Sequence, residues 1–593
     1  MKLSNITLAV IAMAANIQAS SLTSRQETDI ANCCVCDYLD EGYKCTVPQG
    51  SCGIMPPESC PYTLDAETQT MCCCCDPNPD EPAMKCKAVP KEDGCLLAAA
   101  IFDSAVGLAV PSTPEDSLII RQNGGDKLVF CHFMIGIVGA RSSPSDYNAD
   151  MRNAKAAGID AFALNIGTDS YSDAQLDLAY QSAANNGMKV FISFDFNWYS
   201  TGDAVRVGQM IAKYGSRPAQ LIVDGKVFAS SFAGDGLDVA AMRSAAGTPV
   251  FWAPNYHPEF GTDFSNIDGA LNWLGWPNNG KNKAPDGSGS VSVEQGDQAY
   301  INALNGKAYI APVSPWFFTH FGPEVPYSKN WVFPSDFLWY DRWQQILSLQ
   351  PRFLEIVTWN DYGESHYVGR LDSPHGDDGN SKWVYGFPHN GWLDMAKPFI
   401  KAYHNGGKDV KPYISEDQIV YWFRPTLRSL NCDATDTTMA DANNSSGNYF
   451  KGRPAGWETM EDKVFVVTLL TEAASVSITV GGNTVTVQAP AGAAKFSVDM
   501  KPGAVSFNLA RGGSTRLSGT AGMQILDHCP CGIYNFNPYV GTIPAGQPDE
   551  LLPAAYSSIY AGLKASTCGP TGMKRTAAPL ADMAVPAMAT PTA

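Results

Sequence analysis

Between Lys127 and residue 412 the chain alternates short, continuous apolar runs with longer stretches that are apolar on one side only. The runs are LVFCHFMI (128–135), IDAFALN (159–165), KVFISFD (189–195), KVFASSF (226–232), TPVFWAP (248–254), GALNWL (269–274), KAYIAPV (307–313) and RFLEIVTWND (352–361). Runs that are continuous rather than alternating predict strands buried on both faces. Between them, 144–157, 172–186, 205–214, 237–246, 293–304 and 338–349 carry apolar residues at helical spacing. Tyr147, Met151 and Ala154 share one helical face, and Leu176, Leu178, Ala179 and Ala183 another. Eight strand–helix units over 127–412 predict an α/β fold, a (β/α)₈ barrel of the TIM type. An open doubly wound sheet is the alternative, but no Gly-rich phosphate-binding turn follows the first run.

Beyond Tyr413 the pattern changes. KVFVVTLL (463–470), SVSITV (475–480), NTVTVQA (483–489), AKFSVDM (494–500) and AVSFNLA (504–510) are punctuated by Gly481-Gly482 and Pro502-Gly503. Alternation with regular turn signals predicts an accessory β-sandwich over 413–567. Asn443-Asn444-Ser445-Ser446 offers overlapping N-glycosylation sites before it. Residues 568–593 are small and Pro-rich and read as a disordered tail.

The N-terminus places Lys2 before a short apolar run (Ile6 to Ala15) and a small-residue site at Ile17-Gln18-Ala19. This predicts a signal peptide over 1–19 and a secreted protein, extracellular or in the cell wall. No later run is long enough to span a bilayer, and the C-terminus lacks the apolar tail of a lipid-anchor signal, so no membrane partner is expected. Of 17 Cys, twelve lie between Cys33 and Cys95. In a secreted chain that predicts a disulfide-rich module over 33–95, joined by a linker at 96–126. A thiolate metal cluster is the competing reading of Cys72-Cys73-Cys74-Cys75. Cys131 sits inside an apolar run and reads as a buried free thiol. Cys432, Cys529, Cys531 and Cys568 are available for two further bridges.

Composition narrows the partners. With 593 residues the chain is too long for one ordinary domain, and 45% hydrophobic residues exclude global disorder. Charged residues are only 17%, and 41 basic against 59 acidic side chains leave a net charge of −18. That argues against nucleic acid, whose phosphates need Lys and Arg. Low charge with 11% aromatics suits a protein that handles neutral polymers, and a monomer is expected.

In a barrel enzyme the chemistry gathers where strands end. The ends here supply His132; Asn165; Asp195, followed by Trp198; Asp235; Trp252, Asn255, Tyr256 and His257; Trp276; Trp316; and Trp359, Asp361, Tyr362, Glu364 and His366. Carboxylates ringed by aromatic side chains are what glycoside hydrolysis requires: one group protonates the departing oxygen, another activates water or attacks, and rings stack on sugar faces. Zinc-ligand spacing and the G-x-S-x-G elbow are both absent from these segments, so neither metal nor cofactor is expected. Asp235 reads equally well as a helix cap. Asp361 and Glu364 have a capping-box reading too, but SHYVGR after them makes a poor helix.

KLVFCHFMIG, AAGIDAFALNIG, GMKVFISFD and especially VTWNDYGESHYVG resemble the fungal α-1,3-glucanases (mutanases) of glycoside hydrolase family 71 over about residues 127–420. The resemblance implies a (β/α)₈ barrel with a β-sandwich and endo-hydrolysis of α-1,3-glucan with inversion. It also implies catalytic carboxylates in a D-x-x-E arrangement, here Asp361 and Glu364, with Asp195 a further candidate. The Cys-rich module departs from the family plan and reads as a wall-binding module. On this basis Glu364 is expected to be the general acid, its pKa raised by aromatic neighbours, and Asp361 the base. Inversion needs the carboxyl groups roughly 6.5–9.5 Å apart. If the pair is closer, Asp195 is the better base, with Glu364 still the acid. Two alternatives stand: a hydrolase of another neutral glycan such as an α-1,4-glucan, and a non-catalytic glucan-binding wall protein.

Overall fold

The computed structural model describes residues 127–280, 283–285, 289–321, 329–432, 452–547 and 549, with the backbone of six short strands outside them. The chain divides into two compact units, 1–119 and 120–593. In the first, Cys52–Met55, Gln69–Cys75 and Met84–Pro90 form a three-stranded antiparallel sheet, and Asp37–Leu39 pairs with Gly42–Lys44. The expected signal peptide, linker, glycosylation loop and tail, and the cysteine side chains of 33–95, lie outside the described residues.

The second unit begins with eight parallel strands: β1 (Leu128–Met134), β2 (Ala161–Ile166), β3 (Lys189–Asp195), β4 (Lys226–Phe232), β5 (Val250–Trp252), β6 (Gly269–Leu271), β7 (Ala308–Val313) and β8 (Phe353–Ile356). Their order in the sheet is β5-β4-β3-β2-β1-β8-β7-β6. Both faces are buried, which is why each strand is a continuous apolar run. On β1, Val129, Cys131 and Phe133 belong to the cluster shared with the helices, whereas Leu128 and Phe130 face the other side.

The inward face curls the sheet. Phe130, Phe191, Phe228, Phe251 and Phe353 form one aromatic layer, with Phe130 5.0 Å from Phe191 and Phe228 5.1 Å from Phe251. Strands β5 and β8 are five places apart, about 24 Å in a flat sheet. Yet the Phe251 and Phe353 rings are 6.0 Å apart, so the sheet bends back on itself. At its two ends, Asp268 N donates to Trp252 O (2.9 Å) and Leu271 N to Pro254 O (2.9 Å).

Helices follow most strands: Asn148–Ala157, Ser172–Asn185, Ala204–Gly215, Val239–Ala246, Val293–Leu304 and Leu338–Leu349. The sequence gives their ends. Asp238 caps Val239–Ala246, accepting from Ala241 N, and Gly247 at φ 60° stops it. Ser292 and Gln295 form a capping box on Val293–Leu304. The β5–β6 connection carries only the one-turn 3₁₀ segment Pro258–Phe260. After β7 an antiparallel pair, Phe318–Phe321 with Lys329–Val332, extends the sheet's C-terminal end.

Helix Asn390–His404 then leads into two four-stranded antiparallel sheets. In chain order the strands are β9 (Gln418–Phe423), β10 (Lys463–Leu470), β11 (Ala474–Val480), β12 (Asn483–Ala489), β13 (Gly492–Asp499), β14 (Val505–Arg511), β15 (Ser514–Thr520) and β16 (Tyr539–Ile543). The sheets run β13-β10-β9-β16 and β12-β11-β14-β15. They share a core that includes Tyr421, Val466, Ile478 and Phe507. The first sheet is also buried behind, where Trp422 lies 5.9 Å from Trp392. The second is covered on one side only, so its central strands β11 and β14 alternate buried and open positions, while β12 and β15 at its edges are mostly exposed. Strands β9, β15 and β16 escaped the sequence reading.

The chain then returns to the first sheet. Phe536 O accepts from Trp316 Nε1 (3.0 Å), Tyr534 O bonds His320 Nδ1 (2.8 Å), and Pro538 O bonds His389 Nε2 (3.1 Å). Asn537 Nδ2 donates to the Tyr367 hydroxyl (3.1 Å). Cys432 is bridged to Cys529, Cys531 is disulfide-bonded, and Cys131 is a free buried thiol as the sequence suggested.

Candidate active site

The segment leaving β8 is fixed by its own polar residues. Asn360 Oδ1 accepts from Met134 N (2.7 Å), tying the segment to the end of β1. Thr358 N donates to His366 O (3.0 Å) and Val368 N to Thr358 O (3.0 Å), so Thr358 faces His366 across a short backbone pairing. Asp361 N donates to the Thr358 hydroxyl (2.9 Å), and the Asp361 carboxylate accepts from Glu364 N (3.1 Å). The last bond closes a 3₁₀ turn, Tyr362–Glu364. Gly363 is required at its centre: a Cβ there would lie 2.7 Å from Phe321 Cζ and 3.1 Å from Asp378 Oδ2.

The turn gathers Asp361, Glu364 and His366. Glu364 Oε1 is ion-paired with Lys329 of the antiparallel pair. Its Oε2 lies 3.2 Å from His366 Nε2, which is 3.9 Å from Asp361 Oδ2. The carboxylates are 17% and 18% exposed and the imidazole is fully buried. Trp276 (5.3 Å) and Phe317 (5.6 Å) wall the imidazole in. Its other nitrogen, Nδ1, is 3.2 Å from the Thr358 hydroxyl.

The charges do not follow the aromatic surroundings. Burial favours a neutral Glu364, but Lys329 and then His366 outweigh it and bring its pKa to about 2. Burial and the charge of Glu364 raise Asp361, against His366 and Lys329. The expectation of a raised Glu364 is therefore reversed: of the two carboxyls, Asp361 is the one whose pKa is raised. The spacing differs too. One oxygen of each carboxylate and one nitrogen of His366 lie within 4.8 Å of one another, because the loop is a tight turn rather than extended. Such a trio has the donors of a metal site, but the Lys329 ammonium on Glu364 repels a divalent cation. A further carboxylate, Asp378, has its pKa raised to about 7 by burial and by Asp377 and Asp361.

Across the sheet end, Asp195 closes β3. It accepts from Asn197 N (2.9 Å), and burial raises its pKa to about 6 against that bond and the nearby His132. Beneath it His132 Nδ1 meets Glu355 Oε1 at 2.7 Å, both fully enclosed. Trp198 is half-buried against Gly167. Asp235 accepts from His257 N (2.8 Å) and meets His257 Nδ1 at 2.6 Å, so these two predicted residues form one unit at the ends of β4 and β5.

Other predicted residues are committed elsewhere. Trp252 packs outside the sheet with its indole toward Tyr256, which is also buried. Trp359 donates to Asp150 (2.9 Å), Trp316 to Phe536 O and Trp276 to Trp316 O (2.8 Å). Tyr362 donates to Arg370 O (2.7 Å), and Asn255 bridges Leu271 O and the Tyr300 hydroxyl (both 3.0 Å). Asn165 is buried at the end of β2, where its carbonyl accepts from Ile135 N (3.0 Å). These rings and amides build walls rather than open sugar platforms. Sequence reasoning missed Lys329, Thr358, Asp378 and Glu355. Only Glu355 left a signal, a charge two residues after Phe353 on the inward parity of β8.

A model of glycosyl hydrolase family 71 matches residues 125–552. The chain is 41% identical over 456 residues to a mutanase of Penicillium rubens, covering 76% of this chain and 96% of that protein. It is 37% identical over 447 residues to a glucan endo-1,3-alpha-glucosidase of Schizosaccharomyces pombe, covering 72% and 97%. An ascus wall endo-1,3-alpha-glucanase of the same yeast is 26% identical over 442 residues, covering 70% and 96%. Among solved structures, a GH99 endo-alpha-mannosidase from Bacteroides thetaiotaomicron aligns with a TM-score of 0.34 at 15% identity, covering 47% of this chain and 98% of that one.

Proposed function

This chain belongs to glycosyl hydrolase family 71, and from that premise we propose that it is a secreted endo-hydrolase of α-1,3-glucan acting with inversion. The observation that carries the reading is the cluster of Asp361, Glu364 and His366 on the turn after β8, in which Lys329 is ion-paired with Glu364. The relatives' names supply the substrate. We read the curled sheet as a (β/α)₈ barrel, supported by its strand order and the hydrogen bonds between its two end strands. The two later sheets read as a β-sandwich. Secretion is supported by the Cys432–Cys529 bridge. Among the described residues no helix is long and apolar enough to cross a membrane. The module at 33–95 is assigned to wall binding and the enzyme to a monomer.

Asp361 is the proton donor to the departing glucosyl oxygen, since burial and the charge of Glu364 raise its proton affinity while Lys329 and His366 hold Glu364 low. Glu364, locked by Lys329 and His366, stays ionised and keeps that proton on its neighbour. Asp361 and Glu364 approach more closely than the roughly 6.5–9.5 Å that leaves room for water between acid and base. The base is therefore Asp195, three places round the sheet, ionised above about 6.

The test is reducing-sugar release from insoluble α-1,3-glucan, beside starch and β-1,3-glucan. It would use wild type, Asp361→Asn and Asp195→Asn, together with an activated oligosaccharide fluoride whose leaving group needs no proton. Both variants are expected to lose roughly 10²- to 10⁴-fold on glucan. Asp361→Asn keeps the fluoride activity and Asp195→Asn does not. Release from another glucan only would discard the substrate, and release from none would leave a binding protein. A product born in the α configuration would refute inversion and make Glu364 the nucleophile.

A further inference from the structure

We propose that Phe260, on the connection after β5, is the aromatic platform of an outlying glucosyl subsite, with His257 beside it binding a sugar hydroxyl. The inference deepens the hydrolase reading above and rests on it. The tryptophans Trp252, Trp276, Trp316 and Trp359 are spent as walls, so an open platform comes from elsewhere. Among the described residues five large apolar side chains stand exposed: Val205, Ile222, Leu349, Val485 and Phe260. The first four lie within helices or strands. Phe260 alone of them is aromatic, and at 68% it is the most open. It sits on a connection leaving the C-terminal end of a strand, the end of the sheet that also carries Asp195 and Asp361.

The ring is held out rather than left loose. Pro258 starts the one-turn segment, Phe260 N donates to His257 O (3.1 Å), and Gly261, at φ 70°, ends it. Asp235, arriving after β4, clamps both sides of this turn. It accepts from His257 N (2.8 Å) before the turn and from the Thr262 hydroxyl after it. The same carboxylate meets His257 Nδ1 at 2.6 Å. The Phe260 ring lies 4.7 Å from the imidazole at 31°, so it is backed by His257 and keeps most of its surface open. A pyranose has an apolar C–H face that packs on such a ring. Its hydroxyls both donate and accept, so they suit His257 Nε2, on the far side of the imidazole from Asp235, in either role. Asp235 and the exposed Glu259 repel an anionic chain, and residues 257–262 include neither Lys nor Arg. The occupant is therefore a neutral glycan. Strand β5 is two places from β3, about 10 Å at the usual strand spacing. That sets the subsite apart from the bond being cut but within reach of the same glucan chain.

The experiment uses the full-length enzyme, Phe260→Ala, Phe260→Trp and soluble α-1,3-oligosaccharides of increasing length. The ratio of KM in Phe260→Ala to that in wild type is expected to climb with length, to roughly 3- to 30-fold, the scale of one ring's packing. The loss falls on KM rather than on kcat. Phe260→Trp, which keeps a platform, restores the wild-type KM. A second readout needs no turnover: Asp361→Asn protein is expected to bind insoluble α-1,3-glucan more weakly by a similar factor when Phe260→Ala is added. A KM ratio equal at all lengths, or a loss in kcat alone, would overturn the subsite. So would glucan binding that ignores Phe260→Ala, or a wild-type dimer that Phe260→Ala dissociates, which would make the ring a contact between copies. Absence of wild-type turnover on every glucan, with binding still weakened by Phe260→Ala, would keep the subsite and count against the hydrolase reading instead.

Discussion

Asp361 and Glu364 sit on one turn, and the ammonium of Lys329 is bonded to only one of them. Burial is the largest single effect on Glu364, and the contacts with Lys329 and His366 outweigh it only together. The prediction concerns Lys329→Met. Lys329 lowers the pKa of Asp361 as well as that of Glu364, so its removal raises both. The alkaline limb of kcat/KM on a soluble α-1,3-oligosaccharide is then expected to move to higher pH; a limb that stays put or moves down would refute the charge assignment. The D-x-x-E pair and His366 were legible because six consecutive residues carry them. Lys329 was not, since it reaches Glu364 across 35 positions and only the folded hairpin brings it there. The tryptophans misled for a related reason: strand ends were readable, but whether a ring at a strand end faces the cleft or the helices depends on parity. Trp252 fell on the outward parity; Trp359, in step with Phe353, packs with the helices all the same because the chain has left β8 by then.

Element boundaries were the more legible layer. Eight continuous runs became eight parallel strands because double-sided burial leaves no polar face to break the run. The extension after β7 was invisible, although it delivers Phe321 and Lys329 to the turn after β8. Gly363 is where those two elements touch. Gly363→Ala is expected to push the antiparallel pair away and draw Lys329 off Glu364, costing activity far more than stability. Overpacking of this kind costs about 1–3 kcal/mol. Phe321→Leu in the same protein should recover activity by making room. Full activity in Gly363→Ala alone would show that the two elements are not in register contact.

At the scale of the whole molecule, the sequence separated a barrel-like region from a β-rich one but gave no sign that the chain comes back. Alternation along β11 and β14 announces a two-sided sheet, whereas Tyr534, Phe536 and Pro538 act through backbone carbonyls, which no side-chain pattern reveals. The bridge between Cys432 and Cys529 closes a loop of 97 residues around most of the β-rich region. Loss of a crosslink that long is worth up to about 4 to 5 kcal/mol in the chain-entropy account. Cys432→Ala/Cys529→Ala is therefore expected to unfold at clearly lower urea, which equilibrium denaturation reads directly. The returning carbonyls also set a schedule. A chain made from its N-terminus folds its sheets as they emerge, but Trp316, His320 and His389 find their partners only once residues 534–538 have left the ribosome. The C-terminal end of the first sheet is finished among the last parts of the molecule. A chain cut before residue 534 would leave these side chains without their carbonyl partners, so the order of the first sheet's C-terminal end depends on the last segment of the β-rich region.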